Sequence, residues 1–100
     1  MTVAQTILSQ IGGNRFIAMT GAHSFVSTDD SLTFQFPRKT PRFQIKYVKI
    51  ILKGDDTYTI KFFQYNAKKF ELNEILEVSG ALFTDLKPII ERETGLALSL

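Results

Sequence analysis

The residue types that most often carry out catalysis are scarce in this chain. His23 is the only histidine and there is no cysteine, so neither a zinc site built on His and Cys nor a Cys–His pair can form. A Ser–His–Asp arrangement would have to use His23, and we expect Ser24 to point the opposite way along a strand. No GxSxG motif is present. The sequence therefore predicts a protein that is not an enzyme.

Two pairs of aspartates, Asp29–Asp30 and Asp55–Asp56, have the residue type of metal ligands or of a glycosidase carboxylate pair. We interpret both as turn residues, because each pair interrupts apolar, strand-like sequence and aspartate hydrogen-bonds to nearby backbone in turns. Gly12-Gly13-Asn14 lacks the GK[ST] ending of a phosphate-binding loop and follows a predicted helix where a strand is required. We expect no metal site and no cofactor.

Lysine and aromatic residues alternate along two neighbouring predicted strands, YVKIILK and YTIKFFQY. If Val48, Ile50, Ile60 and Phe62 face a core, the pleat sends the intervening residues to the opposite face. That second set contains three lysines and three aromatic residues: Tyr47, Lys49, Lys53, Lys61, Phe63 and Tyr65. We predict that these six residues form a site for a binding partner.

Three interpretations of this alternating set are open. Aromatic rings interleaved with lysines suit single-stranded nucleic acid, because rings stack on bases while lysines follow phosphates. Aromatic residues are equally typical anchors of protein interfaces. The same residues can also be covered within the chain or by a second copy in a homodimer. We favour a protein partner over nucleic acid, since the glycine-containing aromatic signatures of RNA-recognition motifs are absent.

Charge is distributed unevenly along the sequence. Nine of the twelve lysines and arginines lie between residues 38 and 69, whereas six of the ten acidic residues follow residue 69. Such a division allows the two halves to attract each other within the fold or across a dimer. It equally allows a basic site for an anionic partner.

The elements that position these residues follow from periodicity. Thr2 can cap a first helix with Val3, Ile7, Leu8 and Ile11 on one face, which Gly12 and Gly13 end. We expect a short strand in RFIAMTG, a hairpin over residues 24–37 and a loop around Pro37 and Pro41. A second hairpin turns at GDDT. Because Phe43 and Ile45 have the opposite parity to Val48 and Ile50, we expect a β-bulge or a break near residues 46–47.

The C-terminal third combines an ambiguous segment with a clear helix. Residues 70–79 fit a strand or a helical turn, and we favour a strand with Leu72, Leu76 and Val78 directed inward. A helix over residues 81–94 would bury Leu82, Leu86, Ile89 and Ile90. Pro88 either kinks this helix or lies in the first turn of one that begins near Thr84. Gly95 ends it.

These elements predict a single domain over residues 1–100 of the α+β class. We expect an antiparallel sheet of four to five strands with an N-terminal and a C-terminal helix packed on one face. Two short helices can cover only one face of such a sheet. The other face is then left to solvent or to a partner.

The stretch TILSQIGGNRFIAMTGA, followed by LTFQFP and later by DTYTIKF, resembles a family of short uncharacterised proteins encoded by bacteriophages and prophages. The resemblance extends over nearly the whole chain and implies a phage or prophage origin and a location in the host cytoplasm. It brings no functional residues with it. It implies an accessory protein that contacts a host or phage macromolecule, most simply as an inhibitor or modulator of a host complex, for example a defence system. The absence of a long apolar run adds the expectation of no membrane partner.

Overall fold

Two helices, five strands and a third helix follow one another along the chain in the computed structural model, which describes residues 2–96. They are α1 (Val3–Ile11), α2 (Gly13–Thr20), β1 (His23–Ser27), β2 (Ser31–Gln35), β3 (Tyr47–Leu52), β4 (Tyr58–Asn66), β5 (Glu71–Ala81) and α3 (Leu86–Thr94), with a 3₁₀ turn at Phe83–Asp85. The strands form one antiparallel sheet in the order β1-β2-β3-β4-β5. The predicted α+β fold is confirmed.

The N-terminal helix begins as predicted, but the element after it does not. Thr2 and Gln5 form a reciprocal capping box at the start of α1. The strand predicted in RFIAMTG is wrong, because this segment is helix α2. Phe16 and Thr20, four residues apart, are both buried on one helical face, and the Thr20 hydroxyl donates to the Phe16 carbonyl at 2.7 Å. Gly12, with φ of 128°, redirects the chain between the two helices.

The two predicted hairpins are confirmed. β1 pairs with β2, and β3 pairs with β4 in a register that sets Val48 opposite Phe62 and Ile50 opposite Ile60. These four side chains are fully buried. They share the sheet face that we call the inner face.

The chain breaks before β3 rather than forming a bulge. Thr40 is buried, and its hydroxyl accepts a hydrogen bond from the Ile45 amide at 2.8 Å and donates to the Arg42 carbonyl at 2.7 Å. This loop buries Ile45 completely and leaves the Phe43 side chain 48% exposed. The turn at residues 41–44 thus removes the parity conflict with Val48.

Strand β5 is confirmed, although one inward assignment is wrong. Leu76 lies opposite Phe62 and Val78 opposite Ile60, and both pack against the core. The register then shifts, so that Ile75 is an extra residue and Leu72 lies opposite Tyr65. Leu72 is therefore directed away from the core and is 49% exposed.

The C-terminal helix begins later than residue 81. A 3₁₀ turn precedes α3, whose regular helix starts at Leu86 and accommodates Pro88 in its first turn. Leu86, Ile89 and Ile90 are buried as predicted, whereas Leu82 is 54% exposed because it precedes the helix. Gly95 ends α3 in the left-handed conformation.

A single hydrophobic core joins the helices to the inner face. Helix α1 contacts both β2 and α3, and buried residues of all three helices belong to one cluster with the inward residues of the sheet. Phe16 and Phe36 each pack edge-on against Phe34, with ring centroids 5.1 and 5.7 Å apart. All described helices therefore lie on one side of the sheet.

Candidate functional site

The opposite side of the sheet carries most of the residues that alternation selected. Adjacent strands align them in two rows, Gln35–Tyr47–Phe63–Glu74 and Thr33–Lys49–Lys61–Glu77. We call this surface the outer face, and it consists of these eight residues together with Ile51, Tyr65 and Leu72. No helix within residues 2–96 packs over it.

Three aromatic side chains form the apolar centre of the outer face. Tyr47 and Phe63 are direct cross-strand partners, and such partners have Cβ atoms about 4.5–5.5 Å apart. The Tyr47 and Tyr65 rings meet edge to face with centroids 6.4 Å apart. All three are partly exposed, and Leu72 extends the patch beside Tyr65. The sheet thus presents a contiguous aromatic surface at this end.

The charges of the outer face largely cancel. The Lys61 ammonium lies 3.4 Å from a carboxylate oxygen of Glu74 and 3.6 Å from one of Glu77. These pairs are solvent-exposed and add little to stability, but they neutralise Lys61 in the row Thr33–Lys49–Lys61–Glu77. Lys49 lies directly opposite Lys61 and forms no salt bridge within residues 2–96.

The structure brings together five of the six residues predicted for the site. Lys53 is the exception, since it follows the end of β3 and lies in the hairpin turn, where its amide donates to the Thr57 carbonyl at 2.8 Å. At about 3.4 Å per residue, six residues of strand separate it from Tyr47 by roughly 20 Å. Sequence reasoning missed Leu72 and Glu74, because the extra residue at Ile75 changes the parity of the strand before it. Glu77 lies between the inward residues Leu76 and Val78, so alternation alone would have placed it on the outer face.

His23 and Ser24 lie closer together than expected. Ser24 adopts φ of 57° at an irregularity in the β1–β2 pairing, and its hydroxyl lies 2.8 Å from His23 Nδ1. The expectation that the two side chains point in opposite directions is therefore wrong. Both residues are exposed, and neither forms a salt bridge or side-chain hydrogen bond with an acidic residue of the described chain.

The aspartate pairs occupy turns, as predicted. Asp30 lies in the β1–β2 connection, where its carboxylate accepts from the Thr28 hydroxyl at 3.0 Å. Asp55 accepts from the Thr57 hydroxyl at 2.6 Å and from the Thr57 amide at 3.2 Å. These bonds favour the ionised carboxylate and lower the pKa of Asp55 below its usual value of 3.8. Across residues 2–96, no three His, Asp or Glu side chains form a group that could hold a metal ion.

Comparisons of the chain with protein-family models, curated proteins and solved structures find no match. None of the helices in the described part of the chain is long and apolar enough to cross a membrane. The outer face therefore has to be interpreted from its own chemistry.

Proposed function

We propose that this protein is a non-enzymatic binding module that docks another protein on its outer face. The observation that carries the proposal is the one-sided cover of the sheet, which leaves Tyr47, Phe63 and Tyr65 partly exposed in one patch. Aromatic residues supply large contact area at low entropic cost and are enriched at the centres of protein interfaces. A partly exposed aromatic cluster on the sheet can therefore anchor a protein partner.

The charge balance favours protein over nucleic acid as the partner of this face. A surface for phosphates needs uncompensated cations, yet Lys61 is already paired with Glu74 and Glu77. The same two carboxylates would repel a phosphate backbone. Lysine and glutamate around an aromatic centre instead resemble the polar rim of a protein interface.

The resemblance to phage and prophage proteins guides the choice of partner. We propose a host or phage protein in the host cytoplasm as the partner, with inhibition or modulation of a host complex as the consequence of binding. A second copy of the chain is an alternative occupant of the same face. Nucleic acid is the alternative that the outer-face charges favour least.

Affinity capture with matched variants tests this proposal. Phe63→Ala/Tyr65→Ala removes the aromatic centre, and Leu82→Ala/Phe83→Ala removes a similar apolar area near α3, where the side chains are 54% and 58% exposed. We expect a specific host or phage protein to be retained by the parent and by the Leu82/Phe83 variant. The Phe63/Tyr65 variant should no longer retain this protein, because the loss of both anchors weakens binding by about 2 kcal/mol or more.

Nuclease treatment and the oligomeric state complete the test. Retention of the partner after nuclease treatment is expected, because protein surfaces make the contact. Loss of the partner on nuclease treatment would contradict the proposal. A dimer that dissociates only in the Phe63/Tyr65 variant would show instead that a second copy occupies the face.

A further inference from the structure

A cavity lies at the end of the sheet where the β4–β5 hairpin meets the loop before β3. Its volume is about 400 Å³, within the range typical of small-ligand sites. The residues that line it are Lys39, Gln44, Gln64, Tyr65, Asn66, Ala67, Lys68 and Asn73. No helix residue contributes to this lining. Within residues 2–96, the cavity is therefore formed by the hairpin and the loop.

The lining is rich in side-chain amides, some of which already hold the cavity together. Gln64 Nε2 donates to the Phe43 carbonyl at 2.7 Å and ties the loop to the hairpin. Asn66 Oδ1 accepts from the Lys68 and Lys69 amides at 3.0 and 3.2 Å. The Gln44 and Asn73 side chains make no hydrogen bond with another residue of the described chain. Their amides offer both a donor and an acceptor, which suits the edge of a nucleobase.

Two of the segments that line the cavity carry cations and no acidic residue, whereas Asn73 comes from β5, where Glu71 and Glu74 flank it. Residues 38–46 and 64–70 contain no Asp or Glu. Their cations are Arg38, Lys39, Arg42, Lys46, Lys68 and Lys69. None of these forms a salt bridge within residues 2–96. Glu71, opposite Asn66 on β5, is an acidic residue at this end, so the six cations of the two segments leave an excess of positive charge that attracts anions.

Exposed aromatic rings and strained backbone mark the same two segments. The Phe70 side chain is 82% exposed at the hairpin turn, and Phe43 is 48% exposed, with the Arg42 guanidinium 5.1 Å from its ring centroid. Phe43, Gln44 and Phe70 all have φ between 51° and 58°, a conformation that costs energy for residues other than glycine. Such strain is often found at functional sites.

From these observations we propose that the cavity and its basic surroundings bind a segment of single-stranded nucleic acid. One base enters the cavity, where the free amides of Gln44 and Asn73 contact its edge. Lys39 and Lys68 at the rim pair with the adjacent phosphates, and Phe70 offers its ring for stacking. A single strand is favoured over a free nucleotide because the unpaired cations extend along both segments, beyond the cavity lining itself. This site adjoins the outer face at Tyr65, which belongs to both, but it does not depend on the protein partner proposed there.

Fluorescence anisotropy with a labelled single-stranded oligothymidylate of about ten nucleotides tests the inference on the purified protein alone. We expect the protein to bind the oligonucleotide. The logarithm of the association constant should fall linearly with the logarithm of the salt concentration, with a slope of about 0.7 per phosphate contact. Lys39→Glu/Lys68→Glu should lower the affinity at least tenfold. The control Lys49→Glu/Lys53→Glu makes the same change in net charge at residues that do not line the cavity. It should change the affinity less than about threefold.

Further measurements separate the alternatives. Phe70→Ala should weaken binding about fivefold or more if the ring stacks on a base. Equal losses from the two lysine variants would overturn the proposal, since the whole protein would then attract the strand non-specifically. Absence of binding at low salt would also overturn it. Thymidine monophosphate that competes as strongly as the oligonucleotide would reject a single strand and leave a mononucleotide site in its place.

Discussion

Single hydrogen bonds determine where β3 can begin. Thr40 is 3% exposed, and its hydroxyl satisfies the Ile45 amide while bonding to the Arg42 carbonyl. The Thr40 amide also donates to the Ile45 carbonyl at 3.1 Å. These three hydrogen bonds close the loop that buries Ile45. Without this arrangement, the chain would enter the sheet with Phe43 and Ile45 in conflict with the parity of Val48.

Thr40→Val is expected to destabilise the protein although it preserves the side-chain shape. The Ile45 amide would lose its acceptor in a buried position, which costs about 1–3 kcal/mol in the free energy of unfolding. Urea denaturation measures the change. Thr33→Val on the outer face, where the hydroxyl has no partner in the described chain, should shift stability by less than about 0.5 kcal/mol. Equal stability of the Thr40 variant and the parent would show that the loop does not depend on this hydroxyl.

At the scale of elements, regular alternation was readable in the sequence and local irregularity was not. The β3–β4 hairpin was predictable because two β-branched, aromatic and lysine-containing runs flank the turn sequence GDDT. Helix α2 was not, since residues 16–19 are an unbroken apolar run, which fits a short buried strand as well as a helix of eight residues. In the fold, Phe16 of α2 packs against Phe34.

The same distinction applies to the site. Alternation correctly placed Tyr47, Lys49, Lys61, Phe63 and Tyr65 on one face. It could not place Glu74 there, because an extra residue at Ile75 moves Leu72 and Glu74 to the outer face and keeps Leu76 on the inner one. Nothing in the local sequence distinguishes Ile75 from its apolar neighbours. The pairing of Lys61 with Glu74 was therefore visible only in the structure.

The position of α3 gives a prediction at this scale. Ile90 is fully buried in the core, whereas Leu82 precedes the helix and is 54% exposed. Ile90→Ala should lower the free energy of unfolding by about 2–5 kcal/mol, and Leu82→Ala by less than about 0.5 kcal/mol. Thermal or urea denaturation of the two variants compares them directly. Similar effects of both substitutions would mean that Leu82 is packed in the core like Ile90, which would contradict a helix that begins at Leu86.

At the scale of the whole molecule, the two faces of the sheet differ in their contacts and composition. The helices and the inner face supply the hydrophobic core, with α1, α2 and α3 on one layer. The outer face carries a balanced set of charges around three partly exposed aromatic rings. Six cations without a salt bridge in the described chain lie at the end of the sheet formed by residues 38–46 and 64–70. The proposed nucleic-acid site therefore adjoins the proposed protein-binding surface at Tyr65 and differs from it in charge.

Site-specific photo-crosslinking tests the central claim most directly. Benzoylphenylalanine would replace Phe63 on the outer face or, as a control, Phe83 in the 3₁₀ turn that contacts α1 and α3 on the opposite layer. The probe at position 63 is expected to crosslink to one protein in host or phage lysate, unaffected by nuclease, while the probe at position 83 does not. Crosslinking of that protein from position 83 but not from position 63, or nuclease-sensitive crosslinks from position 63, would contradict a protein partner on the outer face.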